Sequence, residues 1–235
     1  MKLHIVMHES FEAPAAIELW AKKNNHEISY SCTYQGDKLP ESSSGFDFLI
    51  VMGGPQCPAT TKEECPHFDA LGEVALIKKA IDSGKYVFGV CLGAQLIGEA
   101  LGARFDNSPN REIGFFEITL TESGKKDSIF SEFPEKFTVG HWHGDMPGLT
   151  SSSEILAFSA GCPKQVVKYT PKVYGFQCHF EFTPETIEGM IKNNAKELED
   201  YKNLPYIQTV DQLRKGDCQT MNDLLFIFLD KLTHS

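Results

Sequence analysis

The stretch GKYVFGVCLGAQLIGEAL, from Gly84 to Leu101, changes its hydrophobic period in the middle. Tyr86 to Val90 is a short apolar run, as expected of a strand buried on both faces. From Leu92 onward the apolar residues Leu92, Leu96, Ile97, Ala100 and Leu101 fall on one helical face, and Gly102 supplies a stop. At the joint stands Cys91, between Gly89 and Gly93. The pattern G-x-C-x-G is the thiol version of the nucleophile elbow. A sharp strand-to-helix turn strains the central residue and leaves room only for small neighbours. A cysteine at a helix N-terminus faces unpaired N–H groups and the positive end of the dipole, which favours the thiolate. The N–H of Leu92, directly after it, is placed for one half of an oxyanion hole. The competing reading is a buried cysteine filling a core gap. The five-residue pattern leaves the two about even, and the flanking strand and helix favour the nucleophile.

Outward from the elbow, short apolar runs alternate with helical patterns. Leu3 to His8 reads as a first strand, and residues 13–25 as an amphipathic helix with Pro14 near its first turn. Residues 27–32 read as a second strand and Phe46 to Met52 as a buried one. Residues 68–84 form a helical pattern ending at Gly84. This order predicts an α/β fold: a mainly parallel central sheet flanked by helices on both faces. In the second half, EIGFFEITL, FTVGHW, EILAFS, QVVKY and VYGFQC are closely spaced strands, so a smaller antiparallel part is expected there. Residues 183–201 read as one long helix, with Thr183 at its N-cap and Pro184 at N1. A closing helix from about Met221 is expected to dock on the sheet.

Composition narrows the function classes. The chain has 235 residues, 41% of them hydrophobic and 23% charged, with a formal net charge of -10. Such a surface repels phosphate backbones, and no basic stripe offsets it, so nucleic acid is not an expected partner. The N-terminal apolar stretch is short and broken by His4 and His8, unlike a signal peptide, and no segment reaches the length of a membrane span. The seven cysteines form no C-x-x-C pair, which suits a reducing, cytoplasmic compartment.

Two further segments complete a constellation. In GFQCHFEFTPE, from Gly175, His179 ends an apolar strand and Glu181 follows two residues on. In extended chain the two side chains share a face, and a carboxylate behind an imidazole fixes its tautomer and steadies the imidazolium. In VMGGPQ, from Val51, a Gly-Gly-Pro turn follows another buried strand, at the sheet edge where ligands bind in open α/β folds. Gly54 could lend a second oxyanion donor there. Read singly, each is an ordinary strand end or turn.

Together the three segments resemble the class I (triad-type) glutamine amidotransferases. The family's marks stand here as Gly53-Gly54-Pro55, Gly89-Val90-Cys91-Leu92-Gly93-Ala94-Gln95 and Gly175-Phe176-Gln177-Cys178-His179-Phe180-Glu181. HES near the start, REIGFFEITL and HWHGD resemble the free-standing members related to the amidotransferase domain of GMP synthase. The resemblance implies a flavodoxin-like amidotransferase domain over residues 1–195, with 196–235 a helical extension packed on it. It implies Cys91 as nucleophile, His179 as base and Glu181 as its orienting acid. Gly54 and Leu92 would hold the oxyanion, and Gln95, His143, Gly144 and Asp145 would contact the substrate. Phe180 stands where the family usually has proline. His141 and His143 form an H-x-H pair that suggests metal, but no further ligand cluster supports it in the sequence, so neither metal nor organic cofactor is expected.

The implied reaction is hydrolysis of the γ-amide of L-glutamine through a γ-glutamyl thioester. The chain lacks the Ser-Gly-Gly-x-Asp-Ser loop of a GMP synthase and any Walker loop, so a complete synthetase is not expected. Three readings compete: a glutaminase unit passing ammonia to a separate synthase protein, a stand-alone hydrolase of γ-glutamyl amides, and a non-catalytic binding module that kept the fold.

Overall fold

The computed structural model describes residues 1–234. Among them, nine strands form one sheet in the order β2-β1-β3-β4-β9-β8-β7-β5-β6. The first half supplies β1 (Lys2–Met7), β2 (Glu27–Cys32), β3 (Phe48–Val51) and β4 (Tyr86–Val90), all parallel. The second half supplies β5 (Asp106–Leu120), β6 (Lys136–Met146), β7 (Glu154–Ser159), β8 (Val166–Thr170) and β9 (Val173–Phe176). Strand β9 pairs parallel to β4, and its other neighbours run antiparallel outward to β6. The expected mixed α/β sheet is therefore present, with β9 as the seam between its two parts.

The pleat divides the core. On β3, Phe48 and Ile50 join one apolar cluster, and Leu49 and Val51 join the other. The first cluster lies under α1 (Ala16–Lys23) and the C-terminal helix. The second lies under α2 (Ala70–Asp82) and α3 (Leu92–Ala100), through Leu76, Ile77, Leu96 and Ile97. Both faces are covered, which is why β3 and β4 read as continuous apolar runs. Asp69 caps α2 by accepting the Gly72 N–H. A short helix, α4 (Glu122–Lys126), lies between β5 and β6.

The long helix expected over 183–201 is two helices, α5 (Pro184–Asn193) and α6 (Ala195–Tyr201). Thr183 caps α5 in a capping box with Thr186. The break falls at Asn194, with φ −115° and ψ 26°, where the backbone N–H and the side-chain amide both donate to the Met190 carbonyl. The chain then passes through α7 (Val210–Leu213) to α8 (Cys218–His234), which starts three residues before Met221 because Asp217 accepts from the Thr220 N–H and hydroxyl. Among the described residues no helix is long and apolar enough to cross a membrane.

Helix α8 docks by aromatic packing and by two polar ties. The fully buried Phe228 ring lies 4.5 Å from Phe176, 5.2 Å from Phe88 and 5.4 Å from Tyr174. Trp20 on α1 donates its indole N–H to Asp230 at 2.7 Å. Asn222 donates to the carbonyls of Phe180 and Phe182, at 2.7 and 3.0 Å. We propose that residues 196–235 belong to the same folding unit as 1–195. Phe228→Ala should then cost about 3–5 kcal/mol, seen in urea denaturation as a shift of one cooperative transition. A separate early transition for α8 would contradict this.

Candidate active site

Strands β1, β3, β4 and β9 end at one edge of the sheet, and the segments singled out in the sequence lie just beyond those ends. At the end of β4, Cys91 has φ 52° and ψ −108°, a left-handed conformation unusual for a side-chain-bearing residue. Glycine is required on both sides. A Cβ on Gly89 would stand 2.4 Å from the Gly93 carbonyl group, and one on Gly93 would stand 2.0 Å from the Val51 oxygen. The Cys91 N–H donates to the Phe176 carbonyl at 2.7 Å, which ties the elbow to β9. Burial pushes the Cys91 thiol up from its ordinary value, while His179 and the Leu92 N–H pull it down.

The His179 ring is fixed on three sides. Its Nδ1 donates to Glu181 Oε1 at 2.6 Å, and Phe182 stacks on it at 4.1 Å with an 11° interplanar angle. Its backbone exchanges two hydrogen bonds with Gly140. Burial opposes its charge, but Glu181 and the neighbouring Cys91 outweigh burial and raise the pKa to about 10. The Nε2 atom is buried and has no hydrogen-bond partner among the described residues. Phe180 packs inward against Phe176 and Phe137. The departure from proline thus feeds the core and leaves the histidine in place.

The sulfur has other neighbours that the sequence reading missed. Gln177 donates its amide to Cys91 Sγ at 3.3 Å and accepts from Gln95 at 3.2 Å. Gln95 therefore reaches the sulfur through Gln177, and its own Oε1 is buried without a partner. The thiol also points toward the Trp142 carbonyl at 3.8 Å. Glu12, on the loop after β1, comes nearest of the unexpected acids. A Cβ placed on Gly53 would stand 2.3 Å from Glu12 Oε2, 3.4 Å from Cys91 Cβ and 3.5 Å from His179 Cε1. Burial raises the Glu12 carboxyl to about 7, with His179 and His8 pulling it back. No local pattern in the sequence marks it.

A cavity of about 460 Å³ opens above Cys91. Gly54, Gln95, His143, Gly144 and Asp145 all line it, so the expected substrate residues and one of the two expected oxyanion residues meet there; Leu92 follows Cys91 but is not part of the lining. His143 is the exception in role: both ring nitrogens are engaged inside the protein, Nδ1 with the Asp145 carbonyl and Nε2 with Glu112 and Gln165. It supports the 143–145 segment. Burial raises the Asp145 carboxyl, against the pull of Arg111. The far wall comes from α6, where Glu197 pairs with Arg111 and accepts the Trp142 indole N–H at 2.8 Å. Arg111 in turn lies over the Tyr201 ring.

The sequence offers no third ligand beside His141 and His143, but the fold supplies one. Glu112 of β5 lies between them, the three ligand atoms within 4.8 Å of one another. Ser159 and Gln165 already donate to its carboxylate, at 2.8 and 2.6 Å, so Glu112 is the hub of a buried hydrogen-bond network. His141 is held neutral by burial, its pKa lowered to about 3.

Comparison with known proteins fits this geometry. The model of the glutamine amidotransferase class-I family matches residues 7–198. A glutamine amidotransferase-like protein of Salmonella typhimurium, YfeJ, is 49% identical over 233 residues, covering 99% of this chain and 98% of that one. The glutamine-hydrolysing GMP synthase of the same organism is 31% identical over 149 residues. That match takes in 60% of this chain and only 26% of the synthase. The crystal structure of SMU.1228c superposes with a TM-score of 0.97 at 48% identity over 99% of this chain and all of that one. A glutamine amidotransferase from Thermotoga maritima shares the fold, with a TM-score of 0.83 at 24% identity over 100% of this chain and 99% of that one. The chain belongs to the class I glutamine amidotransferases.

Proposed function

We propose that the protein hydrolyses the γ-amide of L-glutamine to glutamate and ammonia by covalent catalysis in the cytoplasm. The observation that carries this reading is Cys91 on a strained elbow at the cavity, with the hydrogen-bonded His179–Glu181 pair beside it: a Cβ on Gly53 would stand 3.4 Å from Cys91 Cβ and 3.5 Å from His179 Cε1. The pair keeps the imidazole basic, so the thiol proton passes to His179 Nε2 as sulfur attacks the γ-carbonyl carbon. The N–H groups of Gly54 and Leu92 receive the developing oxyanion, and a donor of this kind is typically worth about 10²–10³ in rate. His179 then protonates the departing nitrogen, the C–N bond breaks, and ammonia leaves a γ-glutamyl thioester. Water, deprotonated by His179, attacks the thioester; glutamate departs and the thiol is restored. Gln95 and the 143–145 segment hold the amino-acid end of the substrate. No step needs a metal or an organic cofactor.

The fate of the ammonia admits a partner. GMP synthases couple an amidotransferase portion to more chain, and this protein spans about a quarter of the length of the synthase it matches. A separate ammonia-accepting synthase would fill that role. One observation favours a second reading, a hydrolase of larger γ-glutamyl amides. The cavity of about 460 Å³ falls within the range of sites for ligands of roughly drug size, about 300–1,000 Å³.

Glutamate release from L-glutamine should be measurable with the purified protein and absent in Cys91→Ala. Release from γ-glutamyl anilides but not from glutamine would select the larger-substrate reading. Binding of glutamine without release of either product would overturn both. The pH dependence should carry Glu12. As pH rises through about 7, Glu12 ionises beside Cys91 and opposes the thiolate. The rate of Cys91 alkylation by iodoacetamide should therefore climb less steeply above pH 7 in the wild type than in Glu12→Gln. Identical profiles would remove Glu12 from the site's electrostatics.

A further inference from the structure

A second His–Glu pair lies behind the Gly53-Gly54 turn, and the mechanism above leaves it unused. His8 follows β1 directly, in the HES segment, and is fully buried. Its Nδ1 is 2.9 Å from the Gly53 carbonyl oxygen, and its Nε2 is 2.8 Å from Glu73 Oε2 on α2. A carbonyl can only accept, so Nδ1 donates to Gly53, and Nε2 is placed to donate to the Glu73 carboxylate. Burial disfavours a charge on the ring; Glu73, the Gly53 carbonyl and Glu12 outweigh it. The Phe68 ring closes one side, edge-on at 5.6 Å.

The bond to Gly53 has a geometric consequence. The chain has no cis peptide bonds among its described residues, and in a trans peptide the C=O and the following N–H point in opposite directions. Holding the Gly53 carbonyl on His8 turns the Gly54 N–H away from the His8 ring, and Gly54 lines the same cavity as Cys91. No atom of the described chain accepts that N–H. A peptide between two glycines meets little steric resistance to turning over, so its orientation depends on what grips it.

We propose that His8, paired with Glu73, is a positioning residue for the oxyanion hole: it locks the Gly53–Gly54 peptide with its N–H toward Cys91 before substrate or any partner arrives. This rests on the hydrolytic reading above. It deepens it, because a hole built in advance needs no synthase to complete it.

Removing His8 alone would strand a buried carboxylate and risk the fold, so the test uses paired variants. His8→Leu with Glu73→Leu deletes the grip without leaving a charge. His8→Asn with Glu73→Gln keeps an amide donor where Nδ1 stood. The leucine pair should lose about 10²–10³ in kcat, the value of one oxyanion donor, with KM unchanged. The amide pair should recover the larger part of that loss. Alkylation of Cys91 by iodoacetamide displaces iodide and forms no oxyanion, so its rate, measured below about pH 6 where Glu12 is protonated, should not fall in either pair. Equal kcat in the two pairs, or alkylation falling along with kcat, overturns the proposal. If the wild type turns over neither glutamine nor a γ-glutamyl amide, the functional reading has failed, and crystal structures of the two pairs decide the positioning role separately. A Gly53–Gly54 peptide turned over in the leucine pair and retained in the amide pair supports it; an unturned peptide in the leucine pair overturns it.

Discussion

Strand β4 and helix α3 approach so closely that neither Gly89 nor Gly93 has room for a side chain. The contact forces the chain to reverse within one residue, and Cys91 takes the left-handed conformation that results. The strain costs of order 1–3 kcal/mol and is held by what surrounds it: the Cys91 N–H on Phe176, the apolar face of α3 under the sheet, and the neighbouring β3 strand, which Gly93 touches. The same reversal lifts the sulfur to the carboxyl edge of a parallel sheet, where β1, β3 and β9 also end. Turns from three other strands can then reach one atom. Had the strand-to-helix crossing been looser, the thiol would sit in the core like Cys178, which is fully buried below it.

The site concentrates charge where water is scarce. His179 with Glu181, and His8 with Glu73, are two buried imidazole–carboxylate pairs, and Glu12 faces both histidines. In such surroundings a group keeps its charge only when a partner stabilises it. The two histidines are therefore basic because of their carboxylates, while at His141 burial outweighs the pull of Glu112, 3.7 Å away and already engaged by Ser159 and Gln165, and the ring is held neutral. Glu12 has no dedicated cation and remains poised near neutrality. One pair lies beside the Cys91 sulfur, and the other holds the Gly53 carbonyl.

How much of this could be read in advance follows from distance along the chain. The elbow, the Gly-Gly-Pro turn and the His179–Glu181 spacing are local patterns, and the alternating periods around them carry the mixed sheet. Legibility stopped where contacts join distant segments. Glu73 meets His8 from 65 positions away, Gln177 meets Cys91 from 86, and Glu197 meets Arg111 from 86. Glu112 lies beside the histidine pair only because β5 and β6 are neighbours in register, with Glu112 opposite His143. The break at Asn194 was hidden for another reason. The periodicity of residues 183–201 is continuous across it, and the break is confined to the backbone angles of one residue, Asn194.

The two tryptophans divide the molecule between them. Trp20 is buried with its N–H on Asp230 and takes no part in lining the cavity. Trp142 lines the cavity, holds Glu197 with its indole and turns its carbonyl toward the Cys91 thiol. Emission from this protein therefore has two sources with different surroundings, one constant as long as the core is intact and one sensitive to whatever enters above Cys91. The chain carries its own optical reporter of occupancy, with an internal reference built into its core.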